Sequence, residues 1–123
     1  MTKPLRIAIA DDEAEIRRFF EEIVRRLGHE VTASVGNGRE LVEQCGSPPP
    51  DLIITDVLMP GMDGIEAARQ IGHEHPVSVI VISSLDATEL DNRCGCEHVV
   101  AFLTKPIKAS ELETAISRSA QVC

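Results

Sequence analysis

Five short apolar runs alternate with five segments of helical character along this chain. That alternation constrains the fold more than any other feature, because it marks a parallel sheet whose strands are joined by crossover helices. The runs are Leu5 to Ala10, Val31 to Val35, Leu52 to Thr55, Val77 to Ser83 and Val99 to Leu103. At each expected helix start a polar residue is followed three positions later by glutamate: Asp12 with Glu15, Asn37 with Glu40, Asp63 with Glu66, Asp86 with Glu89, and Ser110 with Glu113. Such pairs satisfy the unpaired N–H groups of a helix's first turn, and all five fall in phase with the strands. The first helix carries an apolar stripe at Ile16, Phe20, Ile23, Val24 and Leu27, with Gly28 as its stop. The last carries Leu112, Ala115 and Ile116. The fourth helical segment is interrupted by Asn92 and Gly95 and is expected to be the element that moves.

The second run alternates Val31, Ala33 and Val35 with Glu30, Thr32 and Ser34, so it suits a half-exposed edge strand. The third and fourth are nearly continuous in apolar residues and belong in the centre. Right-handed crossovers and an edge second strand suit the strand order 2-1-3-4-5, one of the common doubly wound orders. At 123 residues the chain fits a single domain, 1–123. No apolar run approaches the roughly 18 residues of a membrane span, and the N-terminus lacks the pattern of a signal peptide, so a cytoplasmic, non-membrane protein is expected. The formal charge of -8 argues against direct nucleic-acid binding, which draws its affinity from basic residues. Cys45, Cys94, Cys96 and Cys123 are read as reduced thiols; Cys94, Cys96 and His98 form a C-x-C-x-H cluster that lacks the four suitably spaced ligands of a structural zinc site.

In an open parallel sheet the carboxyl ends of the strands share one edge, and ligands bind there. This sequence places Asp11 and Asp12 after the first strand, Asp56 at the end of the third, Ser83 at the end of the fourth and Lys105 after the fifth. Taken singly, Asp12 is explained as a helix cap, Ser83 as a loop polar group and Lys105 as a solvated charge. Agreement among four strand ends outweighs those explanations. Three carboxylates a few ångströms apart would repel unless a cation sat among them, and a hard divalent ion with oxygen ligands, Mg²⁺ or Mn²⁺, answers that need. Asp56 would then stay ionised as a nucleophile toward phosphorus, with Lys105 and the Ser83 hydroxyl neutralising the phosphoryl oxygens.

The acidic pair Asp11-Asp12 with Glu13, the stretch Asp56-Val57-Leu58-Met59-Pro60-Gly61-Met62-Asp63-Gly64, Ser83, and Lys105-Pro106 together resemble the receiver domains of two-component response regulators over essentially the full chain. The resemblance implies a flavodoxin-like (βα)5 three-layer sandwich and a regulatory phosphoacceptor that turns over no external substrate. It implies that Asp56 is the phosphoacceptor, that Asp12 ligates the metal directly and Asp11 through water, and that the backbone carbonyl of Leu58 completes the protein's share of the shell. It assigns Ser83 and Lys105 to the phosphoryl group, Phe102 as an aromatic switch that turns inward with Ser83, and a cis bond at Lys105-Pro106. Pattern alone makes Phe102 an ordinary core residue of the fifth strand.

The resemblance further implies a histidine kinase or histidine phosphotransfer protein as donor, and a downstream protein target or output domain as recipient of the signal. The fourth helix, fifth strand and fifth helix would form the switching surface, and a phosphorylation-dependent homodimer is one way to use it. Arg17, Arg18, Arg25 and Arg26 fall on the polar side of the first helix, where they are read as a solvated face. Leu58 and Leu85 depart from the polar residues that many receivers carry at these positions, and are expected to shield an acyl phosphate from water. Two enzymatic or carrier alternatives fare worse. A haloacid-dehalogenase-like phosphatase needs D-x-D after the first strand, and a flavin carrier needs a Ser, Thr and Gly-rich loop where this chain has Asp-Asp-Glu.

Overall fold

A computed structural model of the chain describes residues 3–45, 48–84 and 99–122. The apolar runs form β1 (Arg6–Ala10), β2 (Glu30–Val35), β3 (Leu52–Asp56), β4 (Ser78–Ser83) and β5 (Val99–Thr104). The helices among the described residues are α1 (Ala14–Arg26), α2 (Gly38–Gln44), α3 (Gly64–Glu74) and α4 (Ala109–Val122). Every strand pairing is parallel, and the order is β2-β1-β3-β4-β5. The expected fourth helical segment, with Asp86, Glu89, Asn92 and Gly95, lies outside the described residues, as do Leu85, Cys94, Cys96 and His98.

Strand pleating sorts the core into two layers, because successive side chains leave a strand on opposite faces. Ile7, Ile9, Leu52, Ile54, Ile80 and Ile82 meet Phe20, Ile23 and Val24 of α1 and Leu112, Ala115 and Ile116 of α4. The intervening Ala8, Ala10, Ile53, Val79 and Val81 meet Leu41 of α2 and Ile65, Ala68 and Ile71 of α3. Each large aliphatic side chain removed from water contributes about 1.5–3 kcal/mol, and the three central strands are covered on both faces. β2 alternates as expected of an edge: Ala33 and Val35 are buried while Glu30, Thr32 and Ser34 are exposed.

Helix ends follow local chemistry at some positions and depart from it at others. Gly28 has φ +88, its N–H donates to the Arg25 carbonyl at 3.0 Å, and the His29 N–H donates to the Val24 carbonyl at 3.1 Å. This pair of bonds closes α1 and requires the left-handed residue that glycine supplies. The Asn37 side chain accepts from the Glu40 N–H at 2.9 Å, and Asp63 from the Glu66 N–H at 2.8 Å. Asp12 and Ser110 do not cap. α1 starts after Glu13 without a side-chain cap, and it is Asp11 that accepts the Glu13 N–H, at 2.9 Å, while Asp12 stays exposed. Ser110 lies inside the first turn of α4, and the Glu111 carboxylate accepts the Lys108 N–H at 3.1 Å, two residues earlier than expected.

β5 is less covered than the other strands on its far side. Val99, Ala101 and Leu103 are half-buried, whereas Phe102 is 42% exposed. The core position that pattern alone gives Phe102 is therefore corrected: strand alternation puts it on the face opposite Ala101 and Leu103.

Candidate functional site

Register brings the acidic residues together. Ala10 of β1 pairs with Thr55 of β3, so Asp11 and Asp56, the next residues, emerge side by side at the carboxyl edge of the sheet. On the other flank Ser83 pairs with Thr104, and the Lys105 N–H donates to the Ser83 carbonyl at 2.9 Å. Asp11, Asp12 and Asp56 each offer a carboxylate oxygen, and these oxygens all lie within 4.8 Å of one another. Lys105 Nζ donates to Asp56 Oδ2 at 3.1 Å and stands 3.2 Å from Asp11 Oδ2. Asp11, Asp56 and Ser83 are buried, Asp12 is exposed, and Leu58 stands 50% exposed two residues beyond Asp56. The Lys105–Pro106 bond is cis.

The electrostatics of this cluster are those of an unfinished charge balance. Burial raises the Asp56 pKa above the ordinary carboxylate value; the bond from Lys105 opposes this, and the neighbouring Asp11 charge adds to it. For Lys105, burial acts to lower the pKa, but its pairing with Asp56 and Asp11 outweighs burial and the net shift is upward. One ammonium thus faces two buried carboxylates. Asp11 Oδ2 is buried and has the ammonium at ion-pair distance without an aligned hydrogen bond. Converging carboxylate oxygens with an orphaned lone pair among them form the donor set of a hard oxygen-loving dication that keeps several of its waters.

The loop after β3 is fixed by close backbone packing. The Gly64 N–H donates to the Val57 carbonyl at 3.1 Å, and a Cβ on Gly64 would collide with the Asp56 carbonyl and Thr55 Oγ1. Thr55 Oγ1 in turn donates to the Asp56 carbonyl at 3.0 Å. Gly61, at φ +76, makes the turn between them. Sequence reading missed one residue here: Arg17, assigned to a solvated helix face, donates from Nη1 to the Asp11 carbonyl at 2.7 Å. An arginine one turn into a helix that opens beside an acidic loop was the available signal.

The fold and the carboxylate-lysine edge define a class, the doubly wound α/β domains with an acidic site at the carboxyl ends of their strands. Residues 7–117 match the family model for the response regulator receiver domain. The chain is 37% identical to the transcriptional regulatory protein PdtaR of Mycobacterium tuberculosis over 97% of its own length, and spans 60% of that protein. It is 31% identical to the chemotaxis protein CheY of Thermotoga maritima, covering 92% of this chain and 95% of that one. The response regulator domain of Thermotoga maritima CheB superposes with a TM-score of 0.84 at 30% identity, over 98% and 99% of the two chains. The chain belongs to the receiver domain family of two-component response regulators. Receiver domains are regulatory modules that work with kinases and with output or target proteins. No helix among the described residues is long and apolar enough to cross a membrane.

Proposed function

We propose that this chain is a phosphoacceptor switch in which Asp56 takes a phosphoryl group from a phosphohistidine, with Mg²⁺, or Mn²⁺ in its place, held by Asp12, Asp56 and the Leu58 carbonyl, and by Asp11 through water. A carboxylate oxygen of Asp56 forms the new O–P bond as the P–N bond of the donor breaks, and the departing imidazole keeps the electron pair. Bound metal supplies positive charge that keeps Asp56 ionised and offsets charge on the transferring phosphoryl oxygens. The Lys105 ammonium, already 3.1 Å from Asp56, moves its bond to a phosphoryl oxygen, and the Ser83 hydroxyl donates to another. Lys105 N–H binds the Ser83 carbonyl, so a pull on Ser83 is felt at the end of β5, whose Phe102 is exposed before the switch and turns inward after it.

The donor is a histidine kinase or histidine phosphotransfer protein. An apolar cleft of about 470 Å³, lined by Ile16, Phe19, Phe20, Lys105, Pro106 and Ile107, opens beside the acceptor. Because Lys105 belongs to both, a donor seated in the cleft presents its histidine to Asp56. The recipient of the signal is a protein target or an output domain that reads the β5–α4 face, where Phe102, Glu111, Thr114 and Arg118 border a second cavity of about 470 Å³.

The observation that carries this reading is the Lys105 ammonium shared by Asp11 and Asp56 within a three-carboxylate cluster. Incubation with acetyl phosphate and Mg²⁺, followed by intact-mass measurement, is expected to add one phosphoryl group to the wild type and none to Asp56→Asn. A gain that survives the substitution refutes the acceptor assignment.

A further inference from the structure

The N–H, Oδ1 and carbonyl of Asp11 tie it to the end of β2 and to the first turn of α1. Its N–H donates to the Val35 carbonyl at 3.1 Å, joining it to the end of β2. Its Oδ1 accepts the Glu13 N–H at 2.9 Å, closing the turn into α1. Its carbonyl accepts Arg17 Nη1 at 2.7 Å, which joins it to α1 itself. That carbonyl belongs to the peptide linking Asp11 to Asp12, so the arginine grips the one rigid plane between the two acids. Gly36, just past β2, borders the guanidinium: a Cβ there would stand 3.4 Å from Arg17 Nη1, in van der Waals contact, and a larger side chain would reach into the same space. A charged donor holding a peptide carbonyl makes a stronger bond than a neutral pair. An arginine half-buried in this way has also lost the side-chain freedom that a solvated residue keeps.

We propose that Arg17 is a positioning residue for the metal site: it clamps the Asp11–Asp12 peptide so that both carboxylates face Asp56 before the cation arrives. The inference rests on the metal-dependent reading above and adds to it a residue that touches neither metal nor phosphoryl group. Preorganised ligands bind a cation more tightly because less freedom is lost on binding, and outer partners of metal ligands typically carry about 10- to 100-fold of the affinity.

The test is direct Mn²⁺ binding, followed by the electron paramagnetic resonance signal of the free ion, on the whole chain well below its unfolding temperature. Arg17→Met keeps the apolar stem and removes the donors; it is expected to weaken Mn²⁺ binding about tenfold, with Arg17→Lys recovering part of the loss. Labelling by acetyl phosphate should slow at low Mg²⁺ and return to the wild-type rate at saturating Mg²⁺, since the chemistry at Asp56 is intact. Equal Mn²⁺ affinity of Arg17→Met and wild type overturns the proposal, whatever happens to the melting temperature, because a purely structural arginine alters stability and not the affinity of the folded form. Should Arg17→Met fail to fold, Gly36→Leu, which crowds the guanidinium from outside, and Arg17→Lys decide: weakened binding in both supports the clamp, and wild-type affinity in both refutes it. A wild type that binds no Mn²⁺ overturns the underlying metal reading, and the clamp with it.

Discussion

Lys105 stands between Asp11 and Asp56, its Nζ 3.2 Å from the first carboxylate and 3.1 Å from the second. Removing that ammonium leaves two buried like charges without a counter-charge among the described residues, a situation relieved by protonation or by a cation. Lys105→Met is therefore expected to lose about 2 kcal/mol of stability in chelator, less than the 3–5 kcal/mol of a rigid buried pair because one carboxylate takes up a proton. Mg²⁺ should restore more stability to this variant than to the wild type. Urea unfolding with and without Mg²⁺ checks both statements; a variant as stable as wild type in chelator contradicts them.

Asp56 is a cost to the metal-free fold. Its folded pKa lies above the unfolded value, chiefly through burial, so the contribution of this group is most favourable below the unfolded pKa, near 3.8, and is lost as pH rises through the folded pKa. Asp56→Asn removes that loss and should be as stable as wild type, or up to about 1 kcal/mol more stable, at neutral pH without metal. The difference between the two proteins should shrink as pH falls toward 3.8. Parallel pH series of chemical unfolding measure it, and a wild type more stable than Asp56→Asn at pH 7 in chelator would contradict the assignment.

Leu58 places an apolar side chain, half exposed, two residues past Asp56; with Asp56 as the proposed acceptor, this leucine shields the acyl phosphate from water. Leu58→Asn is expected to shorten the lifetime of the acyl phosphate about 3- to 10-fold, a modest share of what positioned polar groups contribute to proton transfer. Loss of the phosphoryl mass with time after removal of acetyl phosphate gives the rate. An unchanged lifetime would mean that this leucine shields nothing.

Cys45 lies in the layer between the sheet and α2 and α3, and burial pushes its thiol from the ordinary 9.0 to about 11. The thiolate is the reactive form, so iodoacetamide at pH 8 should leave Cys45 unlabelled in the folded protein and label it in urea, as peptide mass mapping would show. The raised pKa means that the native state holds this proton more tightly. Its stabilising contribution is complete below pH 9.0 and fades as pH climbs to about 11, by on the order of 2 kcal/mol. Cys45→Ala should lack that alkaline slope.

Gly64 has no space for a side chain, since a Cβ would strike the Asp56 carbonyl and Thr55 Oγ1. Gly64→Ala is expected to cost roughly 3 kcal/mol, the upper part of the usual overpacking range, because the obstruction is backbone and cannot rotate away. Acetyl phosphate labelling of the surviving folded protein should slow as well, since the displaced carbonyl belongs to Asp56, the proposed acceptor. Thermal unfolding and labelling rates together test this.

The chain's own pattern determined the parallel sheet, its edge strand and the convergence of Asp11, Asp12, Asp56, Ser83 and Lys105, because strand periodicity and crossover handedness are local properties that leave little freedom in where the strand ends meet. The caps at Asn37 and Asp63 were legible for the same reason. Tertiary structure decided what local rules leave undetermined. Asp12 matches a capping pattern, yet the loop gives the Glu13 N–H to Asp11 and leaves Asp12 exposed beside the other carboxylates. Arg17 matches a solvated face, yet the Asp11 carbonyl draws its guanidinium inward. Phe102 matches a core strand position, yet its face of β5 leaves it exposed. In each case the deciding partner is distant in sequence or is a backbone atom, and a pattern of side-chain types carries no record of either.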